Sequence, residues 1–152
     1  MKKDIVFVCS GNTCRSPIAE YIFRDLLIKN GISDYFNSVS AGLFTYNDLP
    51  ATELAIESMK EIGIDISCHR SQPLTQSIID RSYAIVCMTQ EHRELVINRF
   101  LNIGTRCYMM SHPDVIDVHD PFGGSLDNYR QTRDIIQSNL NNIFNIFCKY
   151  DN

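Results

Sequence analysis

Four apolar residues, Ile5-Val6-Phe7-Val8, run without alternation into the polar stretch Cys9-Ser10-Gly11-Asn12-Thr13-Cys14-Arg15-Ser16, and Pro17-Ile18-Ala19-Glu20 then begins a helix-like pattern. A short apolar run with no period-two alternation reads as a strand buried on both faces, the kind found in parallel sheets covered by helices on each side. The rest of the chain keeps that rhythm. Ile18, Ile22 and Leu26 repeat at helical spacing to about Lys29, where Asn30-Gly31 ends the helix. Phe36 to Ser40 predicts a second, weaker strand, and Pro50 is placed to open a helix with Leu54, Ala55, Met59 and Ile62 on one face and Gly63 as its stop. A short helical segment near Thr75 to Arg81 leads into the apolar strand Tyr83 to Met88. A helix from about Gln90 to Phe100 and a fourth strand, Arg106 to Met110, follow. Tyr129, Ile136, Leu140, Ile143 and Phe147 mark a long terminal amphipathic helix from Leu126.

Strands alternating with helices predict right-handed crossovers and an α/β fold. The expected architecture is a three-layer sandwich with a central four-stranded parallel sheet flanked by helices, one domain over residues 1–152. At 152 residues the chain is long enough to bury about two-thirds of the surface its unfolded form exposes. Such sheets bind ligands beyond the carboxyl ends of their strands. The loops 9–15, 40–50 and 111–125 should therefore meet at one site.

Composition narrows what that site serves. A net charge of −4 argues against broad nucleic-acid binding, which favours a basic patch, and no stretch reaches the roughly 20 apolar residues of a membrane helix. The apolar start is too short for a secretory signal, so a cytoplasmic location is expected. The six cysteines need not form disulfide staples in a chain of this size, and Cys68, Cys87, Cys107 and Cys148 read as small core residues.

The loop after the first strand carries the chemistry. A strand, a short polar loop and a helix start aim backbone N–H groups and the positive helix end at one small volume, a ready anion site. Cys9 sits on its rim as a candidate nucleophile, since oriented donors and a guanidinium favour its thiolate. Arg15 supplies a planar fork of donors that matches two phosphoryl oxygens. Gly11 leaves room for an anion, and Asn12 can take a left-handed conformation and pin the loop through its amide. Ser16 can cap the helix and donate to the Cys9 sulfur. The loop has no lysine, which excludes Walker-type nucleotide binding.

Transfer to a thiolate requires a proton for the departing atom, so an acid should lie across the site. Asp120, held extended by Pro121 and followed by the turn Gly123-Gly124, is the candidate, with Asp114 and Asp117 as competitors in the same stretch. Phe44, Tyr46 and Phe122 are candidate cleft walls. A thiol at Cys14 could trap an oxidised Cys9 as a disulfide, or simply pack the loop. His69 reads as a structural hydrogen-bonding residue. His92, His112 and His119 lack metal-ligand spacing, so no metal or other cofactor is expected.

Val8 to Pro17, Asp120-Pro121 and Ser40-Ala41-Gly42 resemble the nucleophile loop, acid motif and second-strand ending of the low-molecular-weight protein tyrosine phosphatases, over nearly the whole chain. The resemblance implies that Cys9 forms a phosphocysteine, that Arg15 binds the phosphoryl oxygens with the loop Ser10, Gly11, Asn12, Thr13, Cys14 and Ser16, and that Asp120 protonates the leaving group and then activates water. Asn12, Ser16 and Ser40 would hold the loop. The implied substrate is a phosphorylated protein or peptide and the product inorganic phosphate, with the chain taken as a monomer. Thr13, where tyrosine-directed relatives commonly carry an aliphatic residue, and Phe122-Gly123-Gly124-Ser125, where many carry a tyrosine pair, are similar to the protein-arginine-phosphatase branch. Phosphoarginine is therefore favoured over phosphotyrosine. A thiol-dependent arsenate reductase and a phosphate-binding module without turnover are the alternatives from other classes.

Overall fold

The computed structural model describes residues 1–149. Four strands, β1 (Lys3–Cys9), β2 (Phe36–Gly42), β3 (Ser82–Cys87) and β4 (Cys107–Met109), form one parallel sheet in the order β2-β1-β3-β4. Five helices join and cover them: α1 (Arg15–Lys29), α2 (Glu53–Lys60), α3 (Gln76–Arg81), α4 (Gln90–Arg99) and α5 (Leu126–Phe147). The expected α/β sandwich with a four-stranded parallel sheet is the observed one.

Ile5, Val6, Phe7 and Val8 are fully buried because β1 is central and both its faces are covered. Their alternation sorts them between two layers. Ile5 and Phe7 join Ile18 and Phe23 of α1 and Ile136 and Leu140 of α5 in one apolar cluster. Val6 and Val8 join Ile79 of α3, Ile85 of β3 and Val96 of α4 in the other. The chain passes from β1 to one neighbour, β2, and later returns to the other, β3, so the loop leaving β1 lies at the reversal of strand order where open α/β sheets bind ligands.

Several boundaries differ from the sequence reading. Pro50 is exposed and does not open α2; Thr52 caps it, its hydroxyl accepting from the Ala55 N–H. Ile62 and Gly63 lie beyond the helix, and Gly63 takes the left-handed φ of 78° at the turn. Ser16 does not cap α1: the helix already begins at Arg15, and Ser16 lies buried in its first turn. Strand β2 runs two residues past Ser40, because Ala41 and Gly42 pair with Val8 and Cys9. Cys68 is exposed, not a core residue, whereas Cys87, Cys107 and Cys148 are buried. A bidentate Arg130 and a second guanidinium, Arg133, tie Glu61 after α2 to α5 and hold its carboxyl down at about 2. Among the described residues no helix is long and apolar enough to cross a membrane.

Candidate active site

The carboxyl ends of the strands bring the three predicted loops together. Cys9, Ser10, Gly11, Thr13, Cys14 and Arg15 line a cleft of about 380 Å³, closed by Phe44, Thr45, Tyr46 and Leu49 from the loop after β2 and by Asp120 and Phe122 from the loop after β4.

The sulfur of Cys9 is almost wholly buried, 2.9 Å from the Ser16 hydroxyl and 3.3 Å from the Asn12 N–H that points at it. Asn12 organises what surrounds it. It sits at a φ of 56°, a conformation Asn tolerates better than most residues, and it is fully buried. Its side-chain oxygen accepts from the Gln72 N–H, which fixes the amide orientation, and its NH₂ then donates to Ser16 Oγ at 2.8 Å and to Ser40 Oγ at 2.9 Å. Each hydroxyl, having accepted, keeps its own proton to give: Ser16 toward Cys9, Ser40 to the carboxylate of Glu20. The backbone carbonyl of Asn12 accepts from His69 Nε2 at 2.7 Å, so His69 is a structural hydrogen-bonding residue. A continuous chain of donors and acceptors thus runs from Glu20, itself paired with Arg24, to the sulfur.

Arg15 is 4% exposed. Its Nη1 donates to the carbonyl of Val118 at 2.9 Å, its Nη2 lies 3.5 Å from Asp120 Oδ2, and its Nε has no partner although it is buried. Buried donors are normally satisfied, so an unmatched N–H beside a cleft is available to an acceptor that enters it. Cys14, at the N-cap of α1, makes no side-chain cap, so the helix offers its first-turn N–H groups to the same volume. The Cys14 sulfur instead contacts Thr52 Oγ1 and Tyr129 OH, each at 3.4 Å, and burial pushes its thiol up.

The three acids separate clearly. Asp120 lines the cleft with its side chain half exposed, its Oδ1 accepting from the Phe122 N–H. Asp117 accepts from the Gln90 N–H at the start of α4, and Asp114 lies outside the cleft lining. Phe44 and Phe122, 60% and 71% exposed, and the still more exposed Tyr46 line the cleft; the Arg99 guanidinium lies 5.1 Å from the Phe44 ring centre. Thr13 is half-buried in the lining, and its carbonyl accepts from Thr52 N–H.

Sequence reasoning missed Glu20, Gln72, Tyr129 and His92. The Glu20–Arg24 spacing of i,i+4 within a buried helix face was the one local signal. It also gave Gly42 no steric role. A Cβ at Gly11 would meet only Thr13 Oγ1 at 3.6 Å, an ordinary contact, whereas at Gly42 it would lie 2.8 Å from the Ser10 carbonyl oxygen and from Thr45 Cγ2. The end of β2 backs directly onto the nucleophile loop there.

His92, on α4, places Nε2 2.8 Å from Ser10 Oγ and is 4% exposed. Burial, with the Arg15 charge adding to it, pushes the imidazole from an ordinary 6.5 down to about 4, against the opposing pull of Asp117 and Asp120. The unfolded chain takes up this proton near pH 6.5 and the folded chain only near 4, so acidification through that window favours unfolding, by on the order of 1 to 3 kcal/mol. His92→Gln, which cannot titrate, should lose less stability than the natural chain between pH 7 and 4.5 in urea unfolding; equal losses in the two proteins would contradict this. Among the described residues no cluster of His, Cys, Asp and Glu could hold a metal ion.

The pattern of the family described as low molecular weight phosphotyrosine protein phosphatase matches residues 4–150. A protein-arginine-phosphatase of Bacillus subtilis (strain 168) is 37% identical over 143 residues, covering 90% of this chain and 91% of the relative. Among solved structures, a YwlE arginine phosphatase with a cysteine-to-serine change and a phosphorylated active-site serine matches with a TM-score of 0.91 at 34% identity over 97% of each chain. A low molecular weight protein tyrosine phosphatase from T. tengcongensis matches with a TM-score of 0.90 at 29% identity, over 96% of this chain and 100% of that one. The chain belongs to the low molecular weight phosphotyrosine protein phosphatase family.

Proposed function

We propose that this protein removes phosphate from phosphorylated protein side chains through a phosphocysteine on Cys9, with phosphoarginine the preferred substrate. The observation that carries the reading is the meeting, at one cleft, of the donor-ringed Cys9 sulfur, the unmatched Arg15 Nε and the Asp120 carboxyl beside Arg15 Nη2. The Cys9 thiolate attacks phosphorus and forms the S–P bond. The P–N bond of phosphoarginine, or the P–O bond of phosphotyrosine, breaks, and the leaving atom takes the proton of Asp120. Water, giving a proton to Asp120, then attacks phosphorus; the S–P bond breaks, and inorganic phosphate leaves with the thiolate restored. Arg15 and the loop N–H groups bind the equatorial oxygens in both steps. We take the protein to act as a cytoplasmic monomer, one domain over residues 1–152, on protein or peptide substrates.

Two features support phosphoarginine: the hydroxyl of Thr13 in the cleft wall, which suits a polar planar guanidinium, and the similarity to protein-arginine-phosphatases. Hydrolysis of a phosphoarginine and a phosphotyrosine peptide, measured side by side, tests it. The natural chain should prefer phosphoarginine, and Thr13→Ile should move the ratio toward phosphotyrosine by about one to two orders of magnitude. A native preference for phosphotyrosine that the change leaves untouched overturns the arginine assignment and leaves the tyrosine-directed one. Arsenate reduction is disfavoured because, among the described residues, Cys87 and Cys107 lie side by side in the apolar layer beneath α4, 3.7 Å apart, and neither lines the cleft.

A further inference from the structure

The first turn of α4 touches both halves of the site. Thr89 caps the helix by accepting from the His92 N–H, the Gln90 N–H is held by Asp117 three residues before Asp120, and the His92 ring reaches Ser10, the residue after Cys9. We propose that His92 is a positioning residue for the reaction: it fixes Ser10, and through it the peptide that follows the nucleophile, while the same helix turn holds the acid loop through Asp117. This rests on the function proposed above.

Three observations carry it. First, Ser10 is held from two sides, its hydroxyl by His92 Nε2 at 2.8 Å and its carbonyl by the Phe44 N–H at 2.9 Å. The peptide plane joining Ser10 to Gly11 therefore has its carbonyl end pinned. Second, the geometry is poor value for stability alone. His92 Nδ1 is buried without a partner, one of two such side-chain atoms among the described residues, and the other is Arg15 Nε in the cleft. A core that needed only filling would be served better by an apolar side chain, because an unmatched buried polar atom is destabilising. Third, the ring stays neutral in this setting, where burial and the Arg15 charge outweigh the opposing pull of Asp117 and Asp120. Of the two neutral tautomers, a proton on Nε2 leaves Nδ1 as a bare acceptor, whereas a proton on Nδ1 buries an unpaired N–H, the rarer situation in proteins. His92 then donates to Ser10, and the Ser10 proton remains for an acceptor in the cleft that Ser10 lines.

A double-mutant cycle on the full chain tests this, with His92→Leu, His92→Gln, Ser10→Ala and the His92→Leu/Ser10→Ala pair. The readouts are kcat and KM on a phosphopeptide, the Kd of inorganic phosphate by calorimetry, and Tm. His92→Leu should keep or raise Tm yet lower kcat by about 10- to 100-fold, the scale of a small misplacement at a reacting centre, and weaken phosphate binding several-fold. Glutamine, whose amide reaches the place of Nε2, should restore most of both. The pair should lose no more than the worse single variant. Losses that multiply, a glutamine variant no better than leucine, or phosphate affinity that is equal or undetectable across the series overturns the inference. Absence of turnover in the natural chain with phosphate affinities that still follow the expected order would count against the proposed function and leave this inference standing.

Discussion

Cys9→Ser should lower turnover of a phosphopeptide by at least about 10⁴-fold, the scale seen when a catalytic nucleophile is removed, while inorganic phosphate still binds. The two outcomes separate because they rest on different atoms. Binding depends on Arg15, the first-turn N–H groups of α1 and the loop backbone, and none of these changes with the substitution. The loop is held by Asn12 through Gln72, Ser40, Ser16 and His69, so it keeps its shape. What is lost is the sulfur nucleophile: a cysteine sulfur is intrinsically far more nucleophilic than the oxygen of an alcohol without an adjacent base. Steady-state kinetics with calorimetric phosphate titration decides the matter, and retained turnover ends the assignment of Cys9.

Asp120→Ala should depress kcat by about two to four orders of magnitude on a phosphopeptide, the usual contribution of a general acid. On an aryl phosphate whose leaving group departs without protonation the loss should be smaller. The structure sharpens this into a comparison with Asp117, whose carboxylate holds the Gln90 N–H and does not line the cleft. Asp117→Asn keeps an oxygen that can accept from Gln90, so its loss should be at least tenfold smaller than that of Asp120→Ala. Equal losses at both positions, or the same loss on both leaving groups, would place the acid elsewhere. Arg15 adds a second reading of the same variant: Asp120 is the anion beside Nη2 at 3.5 Å, so its removal also leaves the guanidinium with the Val118 carbonyl as its remaining contact.

The elements that were legible in the sequence are those whose burial is periodic or unbroken. Ile5 to Val8 announced a central strand, and Ile18 and Ile22 the helix that covers it, because one local window contains the whole pattern. The loop after β1 was legible for the same reason: Cys9, Asn12, Arg15 and Ser16 lie within eight consecutive residues and meet around one cleft. What stayed hidden is set by long-range pairing. Gln72 reaches Asn12 across sixty residues, Tyr129 meets Cys14 across more than a hundred, and His92 meets Ser10 from another helix. Gly42 looked ordinary because its constraint comes from the Ser10 carbonyl and Thr45, not from its own φ. Pro50 drew the start of α2 too early since proline marks only a permitted first residue, while the Thr52 hydroxyl supplies an actual bond to the helix.

The distance along the chain between the loop after β1 and the residues that complete its surroundings has a consequence for the protein at birth. Cys9 leaves the ribosome early, whereas Asp120 and Tyr129 emerge only when most of the polypeptide has been made. The apolar layer that buries Phe7 and Ile18 likewise needs Ile136, Leu140 and Ile143 from α5. A nascent chain lacking that helix thus has neither the Tyr129 hydroxyl beside Cys14 nor the full packing over β1, so a fully packed site should arrive only in a late step of synthesis.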